Sequence, residues 1–458
     1  MKNYSSLVRH AGNENLFRAI EMSVLSIFNG YPLHLHAEGL RGTGKTTIIR
    51  SARYILPPIR RIKGCRYNCD PAAPHCPEHA GRDLAELERL GVEFIPMPFL
   101  EVSHSAKIGT VVGSIDLARI VDPSSPSAAL LPGTIPQAHR GIIFIDEINR
   151  LADTSPELAD VFLEVMGTKP GRIQVEETGL PRVEMPVSVA VWAASNPDEE
   201  PGPLEDVRRQ LADRFDLVVS MARPVSASAV RQILEASDTE AAGEGRSPGD
   251  YRELFGEASS RLGKARLPGA LRDLLAAIYI DFNLESLRSV EALQLGAQMA
   301  AMLAGREEVT VQDLMAVAPM ALHHRVDGPT LNKIMRTLGE HLNHESKGVA
   351  GVAAQPETSR ETVAQPPGLP SQATAAEREG ASPRPLEHLL SRVKDRLLGG
   401  ARSTPDGCGS FPPAASTPAG TTGNNPLDFP GCAPPLAARP LVELPVQEMI
   451  RREEELGD

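Results

Sequence analysis

Apolar positions along the chain change their period twice. From Leu16 to Phe28, the residues Leu16, Ile20, Val24, Ile27 and Phe28 recur at helical spacing until Asn29 and Gly30 end the pattern, which predicts an amphipathic helix. Short runs that are apolar on both faces follow: LHLHAE, VEFIPMP at 92–98, GIIFIDE at 141–147, VSVAVWAASN at 187–196 and FDLVVSM at 215–221. Helical patterns lie between most of them, and strands of this kind alternating with helices predict a parallel sheet covered on both sides. Past Pro224 the pattern becomes helix after helix, in SASAVRQILEA, PGALRDLLAAIYIDF, SLRSVEALQLGAQMAAMLAG and TVQDLMAVAPMALHHR. Thr310 with Asp313 fits the capping signal that opens the last of these.

From about Ser346 the periodicity gives way to a stretch rich in Pro, Ala, Ser and Glu, with too few apolar residues to bury a core. Two islands interrupt it. PLEHLLSRVKDRLLG sets Leu386, Leu389, Leu390, Val393 and Leu397 on one helical face, and LVELPVQEMIRREEE is a weaker version. Each reads equally as a docking helix for a partner or as a transient helix in a linker. The expected organisation is an α/β domain over 1–224, an all-helical lid domain over 225–345 and a disordered, Pro-rich C-terminal tail over 346–458.

Composition narrows the class. With 458 residues the chain has room for two or three compact units, and 40 Pro and 38 Gly fit the view that not all of it is compact. A net charge of -12 with no basic stripe argues against a nucleic-acid binder. No apolar run is long enough to cross a membrane, and MKNYSSLVRHAGNENLF has neither a signal-peptide core nor an acylation motif. The expectation is a cytoplasmic protein without membrane or nucleic-acid partners.

The chemistry starts at GLRGTGKTT. Gly39, Gly44, Lys45 and Thr46 meet the spacing G-x-x-x-x-G-K-[ST], placed where a strand is about to become a helix. Glycines let successive N–H groups converge on one centre, and the following helix offers its positive end to the same anion. Gly39, Gly42, Thr43, Gly44, Lys45, Thr46 and Thr47 would form the nucleotide-binding loop, Lys45 reaching the β- and γ-phosphates and Thr46 holding Mg²⁺. An apolar strand ending in Asp146 and Glu147 supplies two carboxylates, one for the metal (Asp146) and one to polarise the attacking water (Glu147). Asn196, at the end of VSVAVWAASN, is a neutral amide able to orient water at the γ-phosphate; alone, an Asn before Pro is a turn residue. Arg214, just before a strand, has the placement of an arginine finger presented to a neighbouring subunit, against the plainer reading of an ion pair with Asp213. Arg288 opens a helix of the second unit, from which it would sense the same phosphate.

The order GLRGTGKT, GIIFIDEIN, AASNP, QLADRFD and SLRSVEA resembles AAA+ ATPases, and specifically the ATPase subunits of magnesium chelatases, over roughly residues 5–330. Two stretches are similar to that family beyond AAA+ in general: GTVVGSIDLARIVDPSSPSAALLPGTIPQAHRG, before the acidic strand, and GRIQVEETGLPRVEMPVSV, two β-like arms about Gly179 and Pro181. The resemblance implies a P-loop AAA+ fold and an ATP-hydrolysing motor with ATP and Mg²⁺ as cofactors. Its roles fall on Lys45 and Thr46, Asp146 and Glu147, Asn196, Arg214 and Arg288. It further implies a homo-oligomeric ring, six-membered in the family. Its partners would be a companion AAA+ subunit with a von Willebrand A-type domain and a large catalytic subunit that inserts a metal ion into a tetrapyrrole.

Some features depart from that family. DEINR is also the spelling of MoxR-type ATPases, which implies the alternative of a chaperone-like ATPase that activates or metal-loads an adhesion-type (von Willebrand A) domain partner. The tail after 345 looks more like the Pro-rich linker of the companion subunit, yet no D-x-S-x-S stretch is present, so a separate chain would supply that domain. A nucleotide-gated scaffold that hydrolyses little is a third reading, disfavoured by the presence of both Asp146 and Glu147.

GCRYNCDPAAPHCPEH is a separate motif. Cys65, Cys69, Cys76 and His79 in a C-x₃-C-x₆-C-x₂-H spacing offer three thiolates and an imidazole for a structural Zn²⁺ site, with His75 competing as the fourth ligand. A redox thiol pair and idle reduced cysteines remain rival readings. Cys408 and Cys432 read as free thiols of the tail.

Overall fold

The computed structural model describes residues 3–115, 130–175, 182–238 and 246–352. All of these lie within the unit Met1–Ser359. The two leucine-bearing islands of the expected tail, Cys408 and Cys432 lie outside the described residues, as does the turn around Gly179 and Pro181.

Eleven strands are described: β1 Leu35–Gly39, β2 Pro58–Ile62, β3 Val92–Pro96, β4 Phe99–Val102, β5 Gly113–Ile115, β6 Leu130–Pro132, β7 Gly141–Asp146, β8 Gly171–Val175, β9 Val183–Val187, β10 Val189–Ser195 and β11 Leu217–Met221. Five form one sheet in the order β11-β1-β10-β7-β4, every neighbouring pair parallel. Both faces are apolar because alternate residues enter two different cores. Ile142 and Phe144 of β7 pack with Trp192 and the helix Glu14–Phe28, whereas Ile143 and Ile145 pack with Leu158 and Phe162 of the helix Pro156–Val165. A strand with two buried faces has no polar side to alternate, hence the unbroken apolar runs. The buried Trp192 keeps its indole N–H satisfied by donating to Ser23 Oγ at 2.8 Å, and Ser23 in turn donates to the Leu33 carbonyl.

One predicted strand is displaced. The run 92–98 does not join the parallel sheet: β3 pairs antiparallel with β2 in a separate two-stranded ribbon, with Phe94 73% exposed. Pro96 and Pro98 split the apolar run, and the sheet's edge strand begins only at Phe99. The two arms flanking Gly179 pair as β8 and β9, antiparallel, and β5 pairs with β6.

The helices after Pro224 are Ala227–Asp238, Pro248–Ser259, Gly269–Asp281, Arg288–Leu303, Val311–Leu322 and Gly328–Val352, the last continuing beyond Ser346. All of these but Ala227–Asp238 contribute to one core with the helix Glu14–Phe28 and that face of the sheet. The capping box expected at Thr310 is formed, and Asp313 also takes both arms of Arg306 at 2.6 and 2.7 Å. A second box, Ser247 with Asp250, opens Pro248–Ser259 and was not anticipated from the helical pattern.

Candidate active site

Register brings four strand ends together. Glu38 of β1 lies opposite Ser195 of β10 and Ser220 of β11, and Ala194 of β10 lies opposite Asp146 of β7. A crevice outside the carboxyl ends of parallel strands is where such sheets bind ligands. Here a cleft of about 340 Å³ is lined by Gly42, Gly44, Lys45, Thr46 and Thr47 on one side and by Asp146, Glu147 and Asn196 on the other.

The loop between β1 and the helix Lys45–Ser51 needs its glycines at two points. Gly39 has φ 145°, and a Cβ there would sit 2.5 Å from the Met221 carbonyl oxygen of the neighbouring strand. Gly44 caps the helix at φ 90°, a left-handed conformation costly for any other residue. Lys45 is only 8% exposed, and its ammonium donates to the Gly39 and Leu40 carbonyls of its own loop at 2.6 and 2.8 Å. Burial lowers its pKa, against the pull of Asp146 and Glu199. A buried cation held by neutral carbonyl and hydroxyl oxygens, at the edge of an open cleft, fits an anionic guest. On the opposite side the Thr46 hydroxyl donates to Asp146 Oδ1 at 3.2 Å. Burial raises the Asp146 pKa while Arg50, 3.4 Å away, opposes the rise. Two hard oxygens side by side are a donor set suited to Mg²⁺.

Glu147 follows Asp146 in a left-handed conformation, φ 57° and ψ 51°, unusual for a side-chain-bearing residue and typical of strain held at functional positions. Glu147 lines the cleft, and its carboxylate pairs with Arg150 at 3.2 Å. Asn196 Oδ1 accepts the Asp198 N–H at 3.3 Å, so the plain turn reading holds for its oxygen, while its Nδ2 has no acceptor among the described residues. Sequence reading missed the support behind it. Asn149, buried, donates to the Asn196 and Gly202 carbonyls, and the buried pair His36 and Ser195 shares a 2.8 Å hydrogen bond between β1 and β10. Burial drives His36 down to about 4, so it bonds as a neutral ring. Arg41 and Glu199, which pair at 3.1 Å across the mouth, carry no motif that could have marked them.

Arg214 and Arg288 lie outside this cleft. The Arg288 guanidinium donates to the Gly167 and Met166 carbonyls at 2.6 and 3.5 Å. Arg214 has no side-chain hydrogen bond or ion pair among the described residues, and burial, then the nearby Arg288 charge, lower its pKa. Arg288 lies near enough to Arg214 for its charge to be felt there, with the Asp213 carboxylate opposing it. The mount of Arg214 is rigid. Asp216 accepts both of its bonds to Lys169 at 2.9 Å, and Arg325 donates to the Asp213 and Phe215 carbonyls at 2.9 and 2.8 Å.

A strut joins the helical part to the root of the loop. His323 Nε2 lies 2.9 Å from Glu38 Oε1, which also accepts from Ser220 at 2.6 Å. Burial alone would raise Glu38, but the bonds from His323 and Ser220 outweigh it and pull the carboxyl to about 2. The Glu38 bond raises His323, and Glu205 adds to the rise. Glu38 therefore contributes stability present above its ordinary 4.5 and lost as pH falls towards about 2. His323 contributes stability present below its ordinary 6.5 and lost as pH rises through its elevated folded value. Thermal unfolding of His323→Gln against the parent is expected to show a gap of about 2–4 °C below pH 6.5 that closes as pH rises through the elevated His323 value. A gap independent of pH would show that the strut carries no ionic component.

Away from the cleft, Cys65, Cys69, Cys76 and His79 form a buried cluster whose ligand atoms all lie within 4.8 Å of one another. Among the described residues no helix is long and apolar enough to cross a membrane.

Comparison with known proteins places these features among relatives. The AAA lid domain family model matches residues 272–338. The magnesium-chelatase 38 kDa subunit of Acidiphilium rubrum is 34% identical over 299 residues, covering 63% of this chain and 82% of that protein. The chloroplastic magnesium-chelatase subunit ChlI of Oryza sativa subsp. indica is 31% identical over 309 residues, covering 65% of this chain and 70% of that protein. A solved assembly described as the complex between subunits BchI and BchD of magnesium chelatase aligns with 73% of this chain and 99% of that one at 25% identity and a TM-score of 0.39, too loose a superposition to transfer geometry.

Proposed function

This chain belongs to the AAA+ ATPase family of the magnesium-chelatase 38 kDa and ChlI subunits, and from that premise we propose that it is the ATP-driven motor of a chelatase-type complex, remodelling a catalytic partner that inserts a metal ion into a tetrapyrrole. The observation that carries the reading is the division of labour on one chain: Lys45, Thr46, Asp146 and Glu147 line one cleft, while Arg214 and Arg288 are not among its lining residues.

In this reading Lys45 leaves its own loop carbonyls for the β- and γ-phosphates, and the loop N–H groups cradle the rest of the anion. Thr46 and Asp146 would hold Mg²⁺, which when bound neutralises charge on the phosphates. Glu147 polarises the attacking water, and Asn196 Nδ2 orients it. Arg214 and Arg288 complete the site from the next subunit, so the working unit is a ring, hexameric in keeping with the family, docked on a companion AAA+ subunit.

Affinity capture from source cells with ATP present, followed by a metal-insertion assay on the captured complex, tests the assignment. A large tetrapyrrole-binding subunit in the capture, with ATP-dependent magnesium insertion, is expected. Capture of an adhesion-type-domain protein alone, with no insertion, would replace this reading with the MoxR-type one.

A further inference from the structure

The knuckle Cys65–His79 has no part in the nucleotide cleft, yet its four candidate ligands are all buried. We infer that Cys65, Cys69 and Cys76 Sγ with His79 Nδ1 hold one structural Zn²⁺, and that this metal braces the turn feeding the strand that ends at Asp146.

The geometry favours a closed tetrahedral site. With zinc–sulfur bonds of about 2.3 Å, the edge of such a tetrahedron is about 3.8 Å, and the four ligand atoms lie within 4.8 Å of one another. His79, its Nδ1 3.1 Å from Cys76 Sγ, is the histidine that lies within 4.8 Å of all three sulfurs. His75 Nδ1 approaches only Cys69, at 3.3 Å, and its ring is committed elsewhere, stacked on His139 at 3.7 Å. The backbone is shaped around sulfur that carries charge. The N–H groups of His75 and Cys76 both point at Cys69 Sγ from 3.4 Å, and that of Cys69 points at Cys65 Sγ from 3.5 Å. Three soft thiolates exclude Mg²⁺, so this site is separate from the metal held with ATP. Burial of all four ligands leaves no open position for substrate, which makes the role structural.

The knuckle reaches the nucleotide site through one turn. Asn68, inside it, donates to the Gln137 carbonyl at 2.6 Å; Asp70 pairs with Arg140 at 3.1 Å; and His75 stacks on His139. Arg140 holds a left-handed φ of 62°, a conformation that needs outside support, and β7 starts at the next residue. This bracing rests on the assignment of Asp146 to the ATP site; the metal itself does not.

Elemental analysis of the full-length chain, purified without chelators or a histidine tag, tests the site. One zinc per chain is expected, falling at least tenfold in Cys69→Ser and His79→Ala but retained in His75→Ala. Cobalt exchanged into the parent chain should show thiolate charge-transfer and tetrahedral ligand-field bands, a readout independent of whether the variants fold. A chain isolated without metal, or with a disulfide among Cys65, Cys69 and Cys76 by mass spectrometry, would overturn the site. Steady-state ATPase of zinc-depleted against zinc-restored chain reads the second half: a loss of several-fold on depletion, reversed by zinc, is expected, and equal rates would overturn the bracing while leaving the metal in place.

Discussion

Glu147→Gln is expected to bind ATP as the parent chain does and to hydrolyse it about 10²–10⁴-fold more slowly, the range that a positioned general base contributes. Gln keeps the size of the side chain and fits the same left-handed backbone, while removing the group that can take a proton. Among the described residues the only partner lost is Arg150, an ion pair with both side chains about two-fifths exposed, worth little to stability. Folding and affinity should therefore be spared. Fluorescent-nucleotide titration alongside single-turnover hydrolysis separates the two quantities, and an unchanged hydrolysis rate would remove Glu147 from the water-activating role.

Arg214→Ala is expected to lower ATP turnover by about 10³–10⁵-fold, the contribution of an arginine that reaches a transferring phosphoryl group. Stability should hardly change, because Arg214 gives up no side-chain bond within its own chain. What presents it is left intact: Lys169 on Asp216, and Arg325 on the Asp213 and Phe215 carbonyls. A turnover within a few-fold of the parent would make Arg214 a surface arginine.

Much of this arrangement was legible in the sequence because its parts are local. The phosphate loop and the acidic strand announce themselves by residue type and spacing, and Asp146, Glu147 and Asn196 fall at strand ends because a two-faced apolar run must stop where the crevice begins. The sheet partner at Phe99 was missed because Pro96-Met97-Pro98 reads as continuous apolarity although it divides two strands of different sheets. Lys169, Arg325, Asn149 and the Glu38–His323 strut were illegible for another reason: each acts on a segment 47 to 285 residues away, a pairing no local pattern encodes. The carbonyl partners of Arg288 were equally illegible: its guanidinium reaches Gly167, 121 residues away, and its charge is felt at Arg214. His75 competes with His79 in the sequence, whereas in the fold His79 lies in the cysteine cluster and His75 stacks on His139.

The central claim is that a working site is built from two subunits, and mixing two inactive variants tests it most directly. Arg214→Ala subunits retain Glu147, and Glu147→Gln subunits retain Arg214, so a mixed ring contains interfaces at which both groups are present. Steady-state ATPase, measured across mixing ratios at fixed total protein, should rise from near zero at either end to a maximum near equal proportions. A flat, inactive profile from mixtures shown to co-assemble would place Arg214 in its own chain's site or in none, and contradict the shared site.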